Sequence, residues 1–416
     1  MKFSLLIFFS SLSTLGLYAQ SNNSPYSILG IGDLDDNFYN RTSGLANTGI
    51  AYRSSHFLIN NNPASFSALD NQIFTAELGL RGSFIDYTGT PVDASNNQSA
   101  DISFRRLVLG MKVSKHWGTS FGLTPFSSEN YEFNAPAIIQ GSTTESVNHF
   151  YQGYGSTNKV YWANSYEFFH HISVGVDLAY LFGTISQKDI LQSASYATLV
   201  STTNNMNLTN LVADYGIQAF GKINKHWDYS LGATYSHRSD LFAQYTQTVL
   251  GPDSTTLYSK TLRESYFSLP NTYGFGFALT KDKKYTIVGD YRYQGWSSLN
   301  YSGNNYQLEN SQKVSAGFEI SRKKAFYNTR VEKSYFQSGV YYGNSYLSAN
   351  GEQIKDMGLT IGYGVNALKS PLSYSIVLQY GIKGTTSNDL VKEKYVNLTF
   401  ALSFREVWNT RGRKWD

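Results

Sequence analysis

From about Gln72 to Phe404 the chain alternates, position by position, between apolar residues and small or polar ones. Val396, Leu398, Phe400, Leu402 and Phe404 are separated by Asn397, Thr399, Ala401 and Ser403. Ile172, Val174, Val176, Leu178, Tyr180 and Phe182 repeat the pattern, with Leu181 out of phase, and so do Tyr273, Phe275, Phe277 and Leu279, and Leu359, Ile361, Tyr363 and Val365. A period of two puts successive side chains on opposite faces of an extended strand. In a soluble sandwich the polar face would look at bulk water and carry many Lys and Glu. Here it carries Gly, Ser, Thr and Ala with an occasional Asp, Gln or Glu, which suits a crowded barrel interior with the apolar face turned to lipid.

The connections have a matching order. Short polar turns are expected at Lys115-His116, His170-His171, Asn224 to His226, Lys281 to Lys284, Arg322 to Lys324 and Leu368 to Pro371. Longer stretches rich in Gly, Ser, Asn and Thr fall near residues 87–99, 131–159, 188–206, 249–256, 299–311, 344–353 and 385–393. Transmembrane barrels use short turns on the periplasmic side and longer loops outside. Six turns alternating with seven loops require fourteen strands, with both chain ends in the periplasm. The expected fold is all-β, a fourteen-stranded antiparallel transmembrane β-barrel over residues 72–405. Trp117, Trp227, Trp296 and Trp408, near strand ends, read as interfacial anchors.

Composition narrows the alternatives. Of 416 residues only 15% are charged while 16% are aromatic, with 33 tyrosines, 35 glycines and no cysteine. Disorder and a thiol-based metal or disulfide scaffold are thereby excluded. After residue 20 no apolar run approaches the roughly 20 residues of a spanning helix. A net charge of +4 without a basic cluster gives no nucleic-acid footprint. Residues 1–19, with Lys2 followed by an apolar stretch to Leu17, read as a secretory signal. Residues 20–71 alternate weakly but include Leu29, Ile31, Leu34, Leu45, Ile50 and Phe57. Because about fourteen strands enclose a lumen that needs filling, this segment is expected to be a hatch or plug. Residues 406–416 form a tail beyond the last strand.

Ser43-Gly44-Leu45-Ala46, Gly49-Ile50-Ala51 and then Asn62-Pro63-Ala64 resemble the N-terminal hatch of the FadL long-chain fatty-acid transporter family. Leu269-Pro270-Asn271-Thr272 with Gly274, and Gly289-Asp290-Tyr291 up to Trp296-Ser297, are similar to a strand pair of that family. The resemblance implies an outer-membrane protein that captures a hydrophobic ligand among its outer loops, passes it against the hatch, and releases it sideways beside a kinked third strand. Here the third strand carries Gly122, Pro125 and Phe126. Proline cannot donate to a ladder, so Pro125 is the place for a break in pairing. FadL-like barrels also serve as noncatalytic subunits of secretion and assembly machines. The tail, with Trp408, Arg411, Arg413 and Trp415, is a candidate periplasmic docking element for such a role. The expected partners are therefore outer-membrane lipid, a hydrophobic ligand, or subunits of secretion or assembly machinery.

No catalytic, metal or cofactor site is expected. His116, His170, His171 and His226 fall in the short turns and read as solvated residues. His237, Ser239 and Asp240 are too close along one extended strand to converge as a triad. Asp177, Asp214, Asp290, Arg292, Glu319 and Gln379 fall on the small-residue face, where unpaired charges are costly, so internal ionic and hydrogen-bonded pairs are expected.

Overall fold

The computed structural model describes residues 24–28, 30–90, 92, 97–138, 146–192, 199–303, 305–326, 329–367 and 370–407. The signal segment and the docking candidates Trp408, Arg411, Arg413 and Trp415 lie outside the described residues. The strands are β1 (Ile73–Gly89), β2 (Gln98–Lys112), β3 (Trp117–Ile138), β4 (Ser146–Phe168), β5 (Ile172–Gln192) and β6 (Val200–Lys222). Next come β7 and β8, each in two segments: Trp227–Ser236 with Ser239–Leu250, and Thr256–Leu269 with Thr272–Lys281. The remainder are β9 (Tyr285–Gln294), β10 (Ser311–Phe326), β11 (Thr329–Ala349), β12 (Glu352–Asn366), β13 (Leu372–Gly384) and β14 (Val391–Val407). All neighbours are antiparallel, and β14 closes the cylinder on β1 from Val391↔Gly89 to Val407↔Ile73. The result is a closed fourteen-stranded barrel.

The alternation sorts inside from outside. Phe275, Tyr363, Leu398 and Leu178 are exposed on the outer wall. Their neighbours in sequence face inward, where Asp177 and Asn397 are buried. Glycine on this inner face lets the filling come close. A Cβ on Gly317 or Gly339 would run into Leu45, and one on Gly362 would meet Gly44.

Several stretches expected as long loops are strand instead. β3 and β4 run on to Ile138 and from Ser146, β5 and β6 span residues 188–192 and 200–206, and β11 turns into β12 through Asn350-Gly351 alone. Both turn residues have positive φ, 50° and 79°, the backbone that a two-residue hairpin needs and that Asn-Gly supplies easily. Polarity misled here because a strand that has left the bilayer no longer needs an apolar outer face. Inward side chains of β5 to β8 meet residues 31, 296 and 308 in a buried cluster that includes Ile31, Ile185, Met206, Leu241, Phe267, Trp296 and Leu308. Trp296 therefore is no interfacial anchor: it is fully buried and stacks on Tyr346 with ring centres 4.5 Å apart. Trp117 is exposed, with its indole nitrogen donating to Asn164 Oδ1.

Candidate functional site: the hatch and the wall it seals

Described residues between 24 and 71 bond to β1, β5, β6, β7, β9, β10, β11 and β12. The Asn-Pro-Ala triplet begins a short 3-10 turn, Pro63–Ala68. Asn62 Oδ1 accepts from Ala64 N at 3.0 Å and so caps the turn, while Pro63 takes the first position, where no amide donor is missed. The Asn62 amide nitrogen donates outward to Ile217 O of β6 at 3.1 Å and to Ala233 O of β7 at 3.3 Å. Ala64 is fully buried, and a Cβ on Gly175 or Gly216 would collide with Pro63-Ala64 or Asn62. The motif is thus a seat: one residue binds the wall and two small surfaces let it lie flush.

Charge fixes the rest. Arg41, at the start of the turn Arg41–Leu45, binds Glu319 of β10 at 2.8 Å and Glu332 of β11 at 2.6 Å. Its guanidinium lies 3.9 Å from the Tyr335 ring centre and 4.8 Å from that of Phe57. Burial pulls the Arg41 pKa down, but the two carboxylates more than reverse this and hold it well above its usual value. Asp290 of β9 accepts from Gly49 N at 2.6 Å and Ile50 N at 3.0 Å. Glu77 of β1 accepts from Leu58 N and binds Arg106 of β2, which in turn donates to Leu58 O at 2.7 Å. Arg53 stacks on Phe220 at 3.7 Å and reaches Gln218 and Glu167; burial lowers its pKa to about 10 against the pull of Glu167. Of the inner-face charges singled out from sequence, Glu319 and Asp290 bind the hatch directly. Arg292 lies 3.9 Å from Asp36, and Gln379 bridges Tyr341 and Asn397.

Pro125 stands at a split in the wall. Among the described residues β2 and β3 pair only from Lys112↔Gly118 to Leu107↔Leu123. The β3–β4 register then shifts between Pro125 and Ser127, with Phe126 bulged. Gly122 lies within the ladder, opposite Val108 and Tyr161. The exposed edge of β3 is covered by the hatch: Asp33 and Leu34 pair with Ser128 and Ser127, and Asp35 N donates to Phe126 O at 2.8 Å. On the β2 side Arg105 binds Asp35 at 3.1 Å. An open strand edge is thus satisfied by the plug.

Among the described residues, two cavities lie beside the hatch toward the long-hairpin end. One, of about 240 Å³, is lined by Asp33, Asp35, Arg81, Asp101, Arg105, Arg292, Lys313, Asp356, Lys383 and Glu393. The other, of about 180 Å³, touches the split and mixes Leu34, Phe38, Pro125, Phe126 and Trp296 with Lys159, Asp177 and Asp214. At the short-turn end a wider vestibule of about 820 Å³ opens between Arg53, His171, Lys222, Lys323 and Glu332.

His237, Ser239 and Asp240 do not form a triad: His237 Nδ1 meets Tyr235 OH, Ser239 accepts from Asn210, and Asp240 accepts from Ser268. Sequence reading missed one convergence of side chains. His116, in the β2–β3 turn, and Glu167 and His170, at the β4–β5 turn, come together although more than fifty residues separate the first from the others. The available signal was that turns of consecutive hairpins are neighbours at a barrel rim.

The closed, antiparallel fourteen-stranded wall is a FadL-like barrel fold. Solved structures share the fold. They include a Pseudomonas aeruginosa FadL homologue, at 12% identity over 92% of this chain and 100% of that one, with a TM-score of 0.62. The toluene transporters TodX of Pseudomonas putida and TbuX of Ralstonia pickettii follow. TodX is 12% identical over 91% of this chain and 99% of its own, TM-score 0.57; TbuX is 13% identical over 89% and 98%, TM-score 0.56. No curated protein matches the sequence. The BamG family model matches residues 1–416, and the chain belongs to the BamG family.

Proposed function

We propose that this protein resides in the outer membrane as a noncatalytic, permanently plugged barrel, a subunit of a complex that assembles or secretes outer-membrane proteins. The observation that carries the reading is the chemistry of the outer cavity. An apolar ligand in about 240 Å³ walled by Arg81, Arg105, Lys383, Asp101, Asp356 and Glu393 would strip water from charged groups without replacing their hydrogen bonds. The hatch ion pairs around the wall favour a fixed filling in the same way. The Bam name of the family points to the barrel-assembly machinery. The short-turn rim, periplasmic in barrels of this type, offers a docking face: Lys115, Lys225, Lys283, Arg322 and Lys324 are exposed there, together with Phe169 and Ile223. The tail residues Trp408, Arg411, Arg413 and Trp415 would extend that face. Purification from native membranes in mild detergent, followed by native mass analysis, tests the proposal. Stoichiometric partner proteins, released on trimming residues 408–416, are expected; a solitary barrel carrying an apolar ligand would overturn it.

The split beside Pro125 supports a second reading, passage of a hydrophobic small molecule with lateral release between β2 and β3. The fold neighbours titled as toluene transporters favour it, and the cavity of about 180 Å³ touches the gap. On this reading Pro125→Val, or deletion of residues 43–64, changes uptake of an apolar compound by intact cells.

A further inference from the structure

We infer that His116, Glu167 and His170 form a binding site for a zinc-class divalent ion at the short-turn rim. One ring nitrogen of each histidine and one Glu167 oxygen all lie within 4.8 Å of one another. His170 Nδ1 stands 3.3 Å from Glu167 Oε1. That is the edge of a tetrahedron built on zinc bonds of about 2.0–2.1 Å, which comes to about 3.3–3.4 Å. A small closure of the third ligand completes the face, and the fourth position is left to water.

Three features argue for a ligand rather than a chance meeting of side chains. First, His116 Nδ1 is buried and has no hydrogen-bond partner, although its ring centre lies only 5.2 Å from that of His170. A buried ring nitrogen left without a partner is costly, and a metal bond made at that nitrogen would remove the cost. Second, the backbone holds the two turns together, with Glu167 N donating to His116 O at 2.9 Å. Third, His170 sits where a different residue would fold more easily. Phe169 and His170 have φ of 53° and 58°, both left-handed, in a tight turn closed by His171 N to Phe168 O. The β11–β12 hairpin meets the same demand with Asn350-Gly351; here a bulky pair accepts the strain and places an imidazole over the neighbouring turn.

The donors also select the ion. Glu167 turns its second oxygen, Oε2, to Arg53 at 3.4 Å, so an outer partner orients the carboxylate and offsets its charge. What remains is dominated by two imidazoles, which suit Zn²⁺ and its transition-metal neighbours. Ca²⁺ and Mg²⁺ require oxygen ligands. The side chain of His170 is 77% exposed, so an ion can enter from solvent.

Metal binding to the purified full-length barrel in detergent tests the inference, by competition with a chromophoric chelator. One equivalent of Zn²⁺ should bind and resist excess Ca²⁺ or Mg²⁺, and Co²⁺ should give the visible absorption of a four-coordinate site. His116→Ala and His170→Ala should each weaken binding by at least about tenfold. His226→Ala should not, although His226 is also a turn histidine beside a carboxylate, with Nδ1 2.5 Å from Asp282. Because these residues lie on turns, each variant is checked for an unchanged heat-modifiable gel shift. Absence of saturable binding, or binding that survives loss of His116 or depends on His226, would overturn the site.

Discussion

Arg41 of the hatch and Glu319 of β10 meet as a two-pronged pair inside the barrel, with Nε donating to Oε2 at 3.1 Å and a terminal nitrogen to Oε1 at 2.8 Å. Both side chains are nearly excluded from solvent, and Glu332 clasps the same guanidinium from the next strand. The pair joins a segment of weak internal structure to strands nearly three hundred residues away, so hatch and wall stabilise each other.

Arg41→Met should therefore strand two carboxylates. Removing one partner of a buried ion pair costs about 3–5 kcal/mol, so the temperature at which the barrel loses its compact gel mobility should fall clearly. Arg41→Lys should rescue little, since an ammonium cannot fork between two carboxylates or stack on Tyr335. Arg41→Met with Glu319→Gln and Glu332→Gln should recover part of the loss.

Gly175→Ala tests the seating of the Asn-Pro-Ala turn. The added methyl would meet backbone of Pro63 and Ala64, neither of which can swing away as a side chain could. Overpacking of this kind costs about 1–3 kcal/mol. Increased cleavage of the hatch in limited proteolysis, with the barrel still folded, is the expected result. Gly351→Ala is a weaker control for crowding, because nothing lies near its missing Cβ and only its positive φ opposes the change.

Leu34→Cys with Ser127→Cys asks whether the hatch strand leaves the wall. The two residues are direct partners in register, a spacing that a disulfide spans. Rapid, near-complete oxidation that leaves complex formation intact is expected of a permanent seal. If cross-linking abolishes uptake of an apolar compound, the split is a working exit.

Acid should weaken the hatch at the short-turn end of the barrel. Burial is the main cause lowering the His56 pKa, assisted by Arg405 and opposed by Asp70. With the folded value below the unfolded value of about 6.5, the unfolded chain binds the proton more readily. The contribution of His56 is therefore present above that pH and lost as the pH falls through it toward the folded value. Unfolding midpoints measured between about pH 7.5 and 5.5 should decline, and His56→Gln should flatten part of the decline.

The outer wall was legible because lipid and lumen make opposite demands on adjacent residues. Leu398 and Asn397 cannot exchange places without burying an amide in hydrocarbon or wasting an apolar face, so the strand and its facing follow from alternation alone. The hairpin tops were not legible. Ser201 to Asn205, for example, are polar on both faces of their strand, and a polar strand then reads like a loop. Trp296 was misplaced for a related reason: an indole near a strand end suits a membrane border, but here the β9–β10 connection folds it under Phe267 and Tyr346.

The sequence by itself determined a barrel of fourteen strands and its inside and outside, because these follow from local periodicity. Only the tertiary structure decided which charges meet. Arg41 with Glu319, Asp35 with Arg105, and His116 with Glu167 and His170 are joined by closure of the sheet and by the path of the hatch across it. Contacts between residues so distant along the chain leave no periodic trace, since their spacing is set by the circumference of the barrel and not by the geometry of any one strand.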